Sequence, residues 1–301
     1  MSWIADNTLT WIQSIVIKIM KTGQVPKHVA IIMDGNRRYA NKTGVKKVEG
    51  HAKGFNKLAE TLQWCLEFGI PEVTVYAFSI ENFKRSKEEV DYLMDLAKEK
   101  FQKLIDERDK LNEHGVCVRV IGNLSLVPPD VRTLMMESMR ITQDNKKAFL
   151  NVAFSYTSKD EITNTVKDIA KGVNNGDIVV SDINEHLFSK CLYTHNSEDP
   201  DLLIRTSGEV RFSDFLMWQT SYTCTYFTKV LWPEFSAWDL IKAVFYYQRC
   251  HGDITKVKND QERVPDLSNK TEYYAHKLHT RRRTALEDAT FYEGRNISTE
   301  S

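Results

Sequence analysis

The sequence predicts an α/β fold: a six-stranded, mostly parallel sheet flanked by helices, with an N-terminal amphipathic helix and a C-terminal helical extension. Three observations predict it. Short β-branched runs alternate with amphipathic helical stretches, which is the order of βαβ units. The runs are predominantly apolar, as in strands covered on both faces. Finally, 42% of the 301 residues are hydrophobic and 11% aromatic, enough to bury a substantial core.

Residues 1–24 form the first element. Read as a helix, they gather Ile4, Trp11, Ile12, Ile15, Val16 and Ile19 on one side, with Asp6, Gln13 and Lys18 elsewhere. That face either packs on the chain's own domain or lies in a membrane interface, where tryptophan is favoured. Gln13, Ser14 and Lys18 interrupt the most hydrophobic stretch. No segment reaches the roughly 18 apolar residues of a span, and no basic n-region or Ala-x-Ala site marks a signal peptide.

The main α/β domain is expected over 25–252. Val29–Met33 is the first strand, followed by a helix from about Glu49 to Phe68. Val73–Phe78 is the second, and Ser86-Lys-Glu-Glu89 reads as a capping box opening a helix from Lys87 to Glu113. Cys117–Ile121, Phe149–Phe154, Leu202–Ile204 and Cys224–Phe227 complete the six. Beyond, 253–301 alternates charges of both signs, and Pro265 breaks any long helix. This extension is expected to be partly helical or mobile, with Arg281-Arg282-Arg283 as a solvated helix face.

Charge and cysteine usage exclude several classes. The 41 Lys+Arg balance 41 Asp+Glu, so no global field draws the chain to nucleic acid. Five scattered cysteines with no CxxC argue against a disulfide framework or a structural zinc site and for a reducing compartment.

Ligands of such sheets sit beyond the carboxyl ends of the strands. There the sequence places Asp34-Gly-Asn-Arg-Arg38, Ser79-Ile-Glu-Asn-Phe-Lys-Arg85 and Arg205-Thr-Ser-Gly-Glu-Val-Arg211-Phe-Ser213. Arg37, Arg38, Arg85, Arg205 and Arg211 are five guanidinium forks suited to phosphate oxygens. Gly35 and Gly208 permit close backbone approach. Neither GxxxxGK[ST] nor GxGxxG occurs, which points away from nucleotides. Asp34 is the carboxylate at the tip of the first strand. It suits Mg2+, which takes one or two carboxylates and completes its shell with diphosphate oxygens and water. Metal and arginines together would stabilise a departing diphosphate and leave a carbocation-like carbon.

Met33–Arg38, Gly50-His51, Tyr76–Phe83, Arg205–Glu209 and Leu231-Trp-Pro-Glu234, in this order, resemble the cis-prenyltransferase family, and within it the eukaryotic branch that makes dehydrodolichyl diphosphate. The resemblance covers about three quarters of the chain. It implies repeated condensation of isopentenyl diphosphate onto farnesyl diphosphate with Mg2+, forming a long-chain polyprenyl diphosphate for dolichol synthesis and glycosylation. It makes Asp34 the metal-linked aspartate, and Gly35, Asn36, Arg37 and Arg38 the cradle of the allylic diphosphate, joined by His51 and Arg85. Ser79, Asn82 and Phe83 match the segment that orients substrates. Arg205, Arg211 and Ser213 match the isopentenyl diphosphate site. Part of the apolar stripe of the 87–113 helix (Val90, Leu93, Met94, Ala97, Phe101, Leu104, Ile105 and Leu111) becomes a wall of the product tunnel.

Two departures from the family pattern stand out. Cys224 occupies the position of a metal-ligating Glu in many single-subunit bacterial members. Arg249-Cys-His-Gly252 replaces their Arg-x-Gly element, which reaches into a partner's site. The resemblance therefore implies a Nogo-B receptor-like accessory subunit supplying that tail, at the cytosolic face of the endoplasmic reticulum membrane, bound peripherally. Two competing readings are a non-catalytic scaffold of the same complex and a phosphohydrolase with Asp34 as nucleophile. The latter wants a second Asp where Asn36 stands.

Overall fold

All six expected strands form, and every pairing between them is parallel: β1 (His28–Ile32), β2 (Glu72–Ser79), β3 (Val116–Ile121), β4 (Ala148–Tyr156), β5 (Leu202–Arg205) and β6 (Cys224–Phe227). The computed structural model describes Trp3, residues 8–258 and 268–287 in full, and the backbone of helical residues 259 and 288–298. Ile4, Asp6 and Pro265 lie outside the described residues. The sheet order is β3-β4-β2-β1-β5-β6. The chain leaves β1 toward β2 on one side and returns from β4 to β5 on the other, so the switch point lies beside β1. The three loops singled out from sequence follow β1, β2 and β5, which are neighbours.

Alternation along β1 assigns the two faces. Val29 and Ile31 point into the main core, shared with α3 (Lys47–Phe68), α4 (Lys87–Asp106), α6 (Pro129–Thr142) and α9 (Ala237–Asn259). Ala30 and Ile32 point into a smaller core with Leu203, Ala153, Tyr156, Phe215 and Leu216. On that face the covering apolar side chains include Phe215 and Leu216, from the connection between β5 and β6. Period-two alternation and apolar character on both sides are what a doubly covered strand requires.

The helix expected from Lys87 to Glu113 is two helices. α4 ends at Asp106, and α5 (Arg108–His114) begins after Glu107, whose φ of −93° and ψ of 17° interrupt the regular turn. The Glu107 carboxylate accepts the Trp3 backbone N–H at 2.9 Å, and the bend turns Leu111 into the core. The capping box is half formed. Ser86 Oγ accepts from Glu89 N at 3.4 Å, but the Glu89 carboxylate turns to Arg85 instead of reciprocating.

α1 (Trp11–Met20) is capped reciprocally by Thr10 and Gln13. Its burial turns most of the apolar stripe away from the core. Gln13 and Ile17 face the core, while Trp11, Ile12, Ile15 and Ile19 stand in solvent, Trp11 at 73% exposure. The apolar stripe is therefore not what packs the helix on its own domain. No described helix is long and apolar enough to cross a membrane.

α10 (Asn269–Ser298) packs on α8 (Glu185–Cys191) and α6, and its Tyr274 and Arg282 bond to Asp168 of α7 (Ser158–Asn174). Its Tyr274 and Leu278 are buried with Ile169, Ile178, Leu187 and Cys191. A side chain at Gly172 would come within 2.6 Å of the Tyr274 ring, so only glycine lets this helix lie down. Within the arginine run, Arg282 is turned inward, which corrects the expectation that the whole triplet is solvated.

Candidate active site

β1 and β5 run side by side with Ile32 opposite Arg205, which brings Asp34 against the end of β5. Arg205 is 3% exposed; its Nη2 donates to Asp34 Oδ2 at 2.9 Å and its Nη1 to Ser213 Oγ at 2.7 Å and to the Arg211 carbonyl. The Asp34 loop is pinned by its own backbone: its N–H donates to Thr206 Oγ1 at 3.0 Å, Thr206 Oγ1 donates to its carbonyl at 2.7 Å, and Trp232 N donates there too at 3.0 Å.

Gly35 turns the chain into α2 (Asn36–Thr43) with φ of 110°. A side chain there would press on Ser207 and Leu231 at 3.0 Å, so the position needs glycine for both conformation and space. Arg38, one turn along α2, donates to the Ser207 carbonyl at 2.8 Å and to Ser207 Oγ. Its Nη2 lies 3.7 Å from Asp34 Oδ2 and 3.3 Å from Glu209 Oε1. Arg211, largely exposed, pairs with the same Glu209. α3 approaches α2 so closely that a side chain on Gly50 would meet the Asn36 carbonyl at 2.5 Å, and one on Gly54 the Asn36 Oδ1 at 2.3 Å. That Oδ1 is buried with no hydrogen-bond partner among the described residues.

A second cluster sits beside the first. Glu89 accepts from Arg85 Nη1 at 2.9 Å and lies 3.6 Å from His51 Nε2. Burial, then the Arg85 charge, holds the His51 imidazole below its usual range and so neutral at physiological pH. Burial likewise lowers Arg85, and both Arg37 and Asp34 are near enough to act on it electrostatically. Ser79 and Asn82 close a 3-10 turn on each other. Ser79 N donates to Asn82 Oδ1 at 3.1 Å, and Ser79 Oγ accepts from Glu81 N at 3.2 Å. Phe83 packs edge-on against Phe78 at 4.9 Å.

All thirteen candidate residues thus lie at or just beyond the carboxyl ends of β1, β2 and β5, in α2, or at the start of α3 beside them. Sequence reasoning missed the groups that hold them. Glu89 was read only as a cap, and Thr206, Ser207 and Glu209 lay inside a quoted motif without separate roles. The Leu231–Glu234 motif gains a physical sense here: Leu231 abuts Gly35, and Trp232 Nε1 donates to the Gly54 carbonyl at 2.7 Å.

No group of three or more His, Cys, Asp or Glu among the described residues could hold a metal alone. The donor set fits a hard divalent ion shared between one carboxylate, Asp34, and a diphosphate. Cys224 does not add to it. Its thiol is buried, hydrogen-bonded with Cys250 and pushed up to about 12 by burial.

Between α3, α4 and the sheet lies an apolar cavity of about 40 Å³, bounded by Leu62, Cys65, Val73, Leu104 and Leu111 and by Trp3. Met94, Ala97, Phe101 and Leu104 of the expected stripe are buried toward this layer. Trp3 is held by its indole N–H on the Lys100 carbonyl at 2.8 Å and edge-on against Phe55 at 4.7 Å.

The chain is similar to known proteins in sequence and in fold. Residues 32–254 match the prenyltransferase family described as "Putative undecaprenyl diphosphate synthase". The chain is 55% identical over 259 residues to the dehydrodolichyl diphosphate synthase complex subunit of Homo sapiens, covering 86% of this chain and 78% of that protein. It is 46% identical over 234 residues to the geranylgeranyl-diphosphate-specific tritrans,polycis-undecaprenyl-diphosphate synthase of Pyrococcus furiosus, covering 78% and 88%. The crystal structure of lavandulyl diphosphate synthase from Lavandula x intermedia with dimethylallyl diphosphate superposes with a TM-score of 0.71 at 33% identity, over 74% of this chain and 95% of that one.

Proposed function

The chain belongs to the cis-prenyltransferase family and is an enzyme of isoprenoid chain elongation; from that premise we propose that it adds isopentenyl diphosphate repeatedly to farnesyl diphosphate, giving a dehydrodolichyl-type polyprenyl diphosphate. The observation that carries this reading is the Arg205–Asp34 pair at the ends of adjacent strands, with an arginine-bearing loop on each side. Two diphosphates need two cationic cradles sharing one reaction centre. Gly35 to Arg38, with His51 and Arg85, would hold the allylic diphosphate. Arg205, Arg211 and Ser213 would hold isopentenyl diphosphate, with Ser79 and Asn82 orienting the two. Mg2+ held by Asp34 and diphosphate oxygens would supply Lewis-acid stabilisation of the leaving group. The guanidinium forks add fixed positive charge where negative charge develops. Neutral His51 can donate one N–H without adding a further buried cation.

The product's growing tail suits the apolar layer between α3 and α4. Each five-carbon unit favours apolar surroundings by about 4 kcal/mol, at about 0.8 per carbon, so a long product leaves into lipid rather than water. The outward stripe of Trp11, Ile12, Ile15 and Ile19 supports α1 as an interfacial helix. The reading that follows is peripheral attachment to the cytosolic face of the endoplasmic reticulum.

Arg249–Gly252 lies inside α9, so it presents no extended tail. The same helix exposes Trp238, Phe245 and Tyr246 beside edge strand β6. An exposed aromatic face and a site short of one acidic and one Arg-x-Gly contribution together support an accessory subunit of the Nogo-B receptor type. The human relative is itself named as a complex subunit. The test is incubation with labelled isopentenyl diphosphate, farnesyl diphosphate and Mg2+, with and without such a subunit. Elongation in the mixture alone supports the heteromer, and elongation by the chain alone shows a self-sufficient assembly. Product from neither would refute the catalytic reading.

A further inference from the structure

The segment between β5 and β6 carries Arg211 and Ser213 in a conformation that its own residues do not favour. Ser213, Asp214 and Leu216 have φ of 51°, 59° and 49°, the left-handed region, and none is glycine. Such a run persists only where its surroundings over-determine it. Part of the restraint comes from the sheet and the start of α7. The Tyr76 ring stacks on Phe215 at 4.5 Å, Ser158 N donates to the Asp214 carbonyl at 2.8 Å, and Met217 N donates to Ser158 Oγ at 2.8 Å.

The rest comes from a buried carboxylate. Glu161, fully buried in the first turn of α7, accepts Tyr156 Oη at 2.6 Å and Gln219 Nε2 at 3.1 Å on one oxygen, and Thr194 N at 3.2 Å on the other. Gln219 Nε2 also donates to Thr194 Oγ1 at 2.8 Å. The end of the strained segment is therefore tied, through one carboxylate, to the 192–197 connection.

That connection is clamped from outside by α10. Arg282 donates to Asp168 Oδ2 from Nε at 3.1 Å and from Nη2 at 2.8 Å, donates to the Cys191 carbonyl from Nη1 at 2.8 Å, and lies over the Tyr193 ring at 5.4 Å. His279 stacks on His195 with ring centroids 3.3 Å apart and donates to the Lys190 carbonyl. Tyr193 in turn donates to Asp160 Oδ2 at 3.1 Å, one residue before Glu161. Contacts are continuous from α10 to the strained segment.

We propose that Arg282 of the C-terminal helix is a positioning residue for the isopentenyl diphosphate half-site, acting through the 192–197 connection and the Glu161–Gln219 bond on the segment that bears Arg211 and Ser213. The inference rests on the assignment of that half-site made above. Arg282 touches no substrate, and its effect is selective because the contacts traced from it end on the 211–219 stretch that bears Arg211 and Ser213, whereas the allylic cradle meets this connection at Ser207 and Glu209, nearer β5. The allylic cradle is built on α2, α3 and the turn after β2, whereas the α10 bonds traced above reach α7, α8 and the 192–197 connection.

The test uses the full chain in whichever assembly turns over, with Arg282→Met, Arg282→Lys, Gln219→Leu and the double variant Arg282→Met/Gln219→Leu. Arg282→Met is expected to raise KM for isopentenyl diphosphate about fivefold to tenfold while leaving kcat and KM for the allylic substrate within twofold. Arg282→Lys should recover part of that rise. The double variant should lose less than the product of the single losses, as for residues acting along one chain of contacts. Melting temperature is followed for each. An unchanged KM for isopentenyl diphosphate would overturn the proposal. So would equal rises for both substrates that track the melting temperature, or single effects that simply multiply. If the unaltered protein joins no isopentenyl diphosphate to any allylic acceptor, the underlying assignment fails with it. A working enzyme indifferent to Arg282→Met refutes the inference alone.

Discussion

Replacing Gly50 by alanine tests whether the position of α2, rather than the mere presence of its arginines, sets the rate. The new Cβ would stand 2.5 Å from the Asn36 carbonyl, against 3.4 Å for ordinary contact. Something must therefore move by about 0.9 Å, the difference between those distances. The obstacle is backbone in the first turn of α2, between Gly35, already tight against Ser207 and Leu231, and Arg37. The displacement must pass into Arg37 and Arg38. Overpacking costs about 1–3 kcal/mol, offset by about 1 kcal/mol from better helix propensity. Net destabilisation is then about 0–2 kcal/mol, a few degrees of melting temperature. Misplacement of catalytic groups by about 1 Å costs about 100-fold, or about 2.7 kcal/mol of transition-state stabilisation. Radiolabelled isopentenyl diphosphate incorporation gives kcat/KM, and calorimetry gives stability. Gly44→Ala is the control. At φ of 71° with open space around it, this variant loses stability by strain alone and moves nothing in the site. If Gly50→Ala keeps kcat/KM within threefold while losing no more stability than Gly44→Ala, the argument from α2 placement is refuted.

Three further outcomes are expected. Asp34→Ala should abolish elongation yet leave farnesyl diphosphate binding measurable by fluorescence; it also strips a 3%-exposed Arg205 of its carboxylate, a loss toward the lower end of about 3–5 kcal/mol because Asp34 is itself one-third exposed. Normal elongation by the variant would remove Asp34 from the chemistry. Burial, then His279, pushes the His195 imidazole down to about 3; burial, then Arg282, pushes His279 down to about 4. Folded-state values below the unfolded 6.5 mean that the undocked state binds more protons, so α10 docking is complete above about pH 6.5 and weakens as pH falls toward 4. At pH 5.5 the loss is about 1.4 kcal/mol per histidine. Hydrogen exchange across α10, corrected for intrinsic rates, should rise accordingly and flatten in His279→Phe; equal protection at pH 5.5 and 7.5 would contradict this. Finally, Trp11→Ser/Ile15→Ser/Ile19→Ser should lower liposome binding while turnover in detergent stays unchanged, and undiminished binding would leave the exposed face of α1 without the interfacial role.

The sheet was legible because the strands are mostly apolar on both sides and none exceeds nine residues. Such runs can satisfy themselves only in the middle of a layered domain, and the polar clusters at their ends then mark one edge. What sequence could not supply was the geometry of interruptions. Nothing in Glu107 breaks a helix by propensity. It breaks α4 because Leu111 must turn into the core and because the Glu107 carboxylate takes the Trp3 N–H. The orientation of α1, which the sequence left open, has a similar origin. Its apolar stripe and its buried side differ, since Gln13 is spent on the Thr10 cap and Ile17, with Val16 and Met20 partly buried beside it, fills the space left between α3 and α9.

The site divides along the same line. Arginines and the aspartate stood out because their residue types suit diphosphate wherever they meet, and strand order made them meet: β1 lies between β2 and β5, so three loops far apart in sequence share one edge. Their supports were silent because support is a matter of distance. Glu89 became the partner of Arg85 and His51 only through the one-turn reach across the start of α4. Arg282 read as one of three surface arginines until Gly172 let α10 lie close enough to α7 for Asp168 to turn it inward. A cationic site needs such acidic neighbours. Glu89 and Glu209 pair with these guanidiniums, and a diphosphate bound as proposed, bearing more charge and more acceptor oxygens, would displace them from the forks. The residues proposed to bind are thus readable by type, and those that hold them in place by geometry alone.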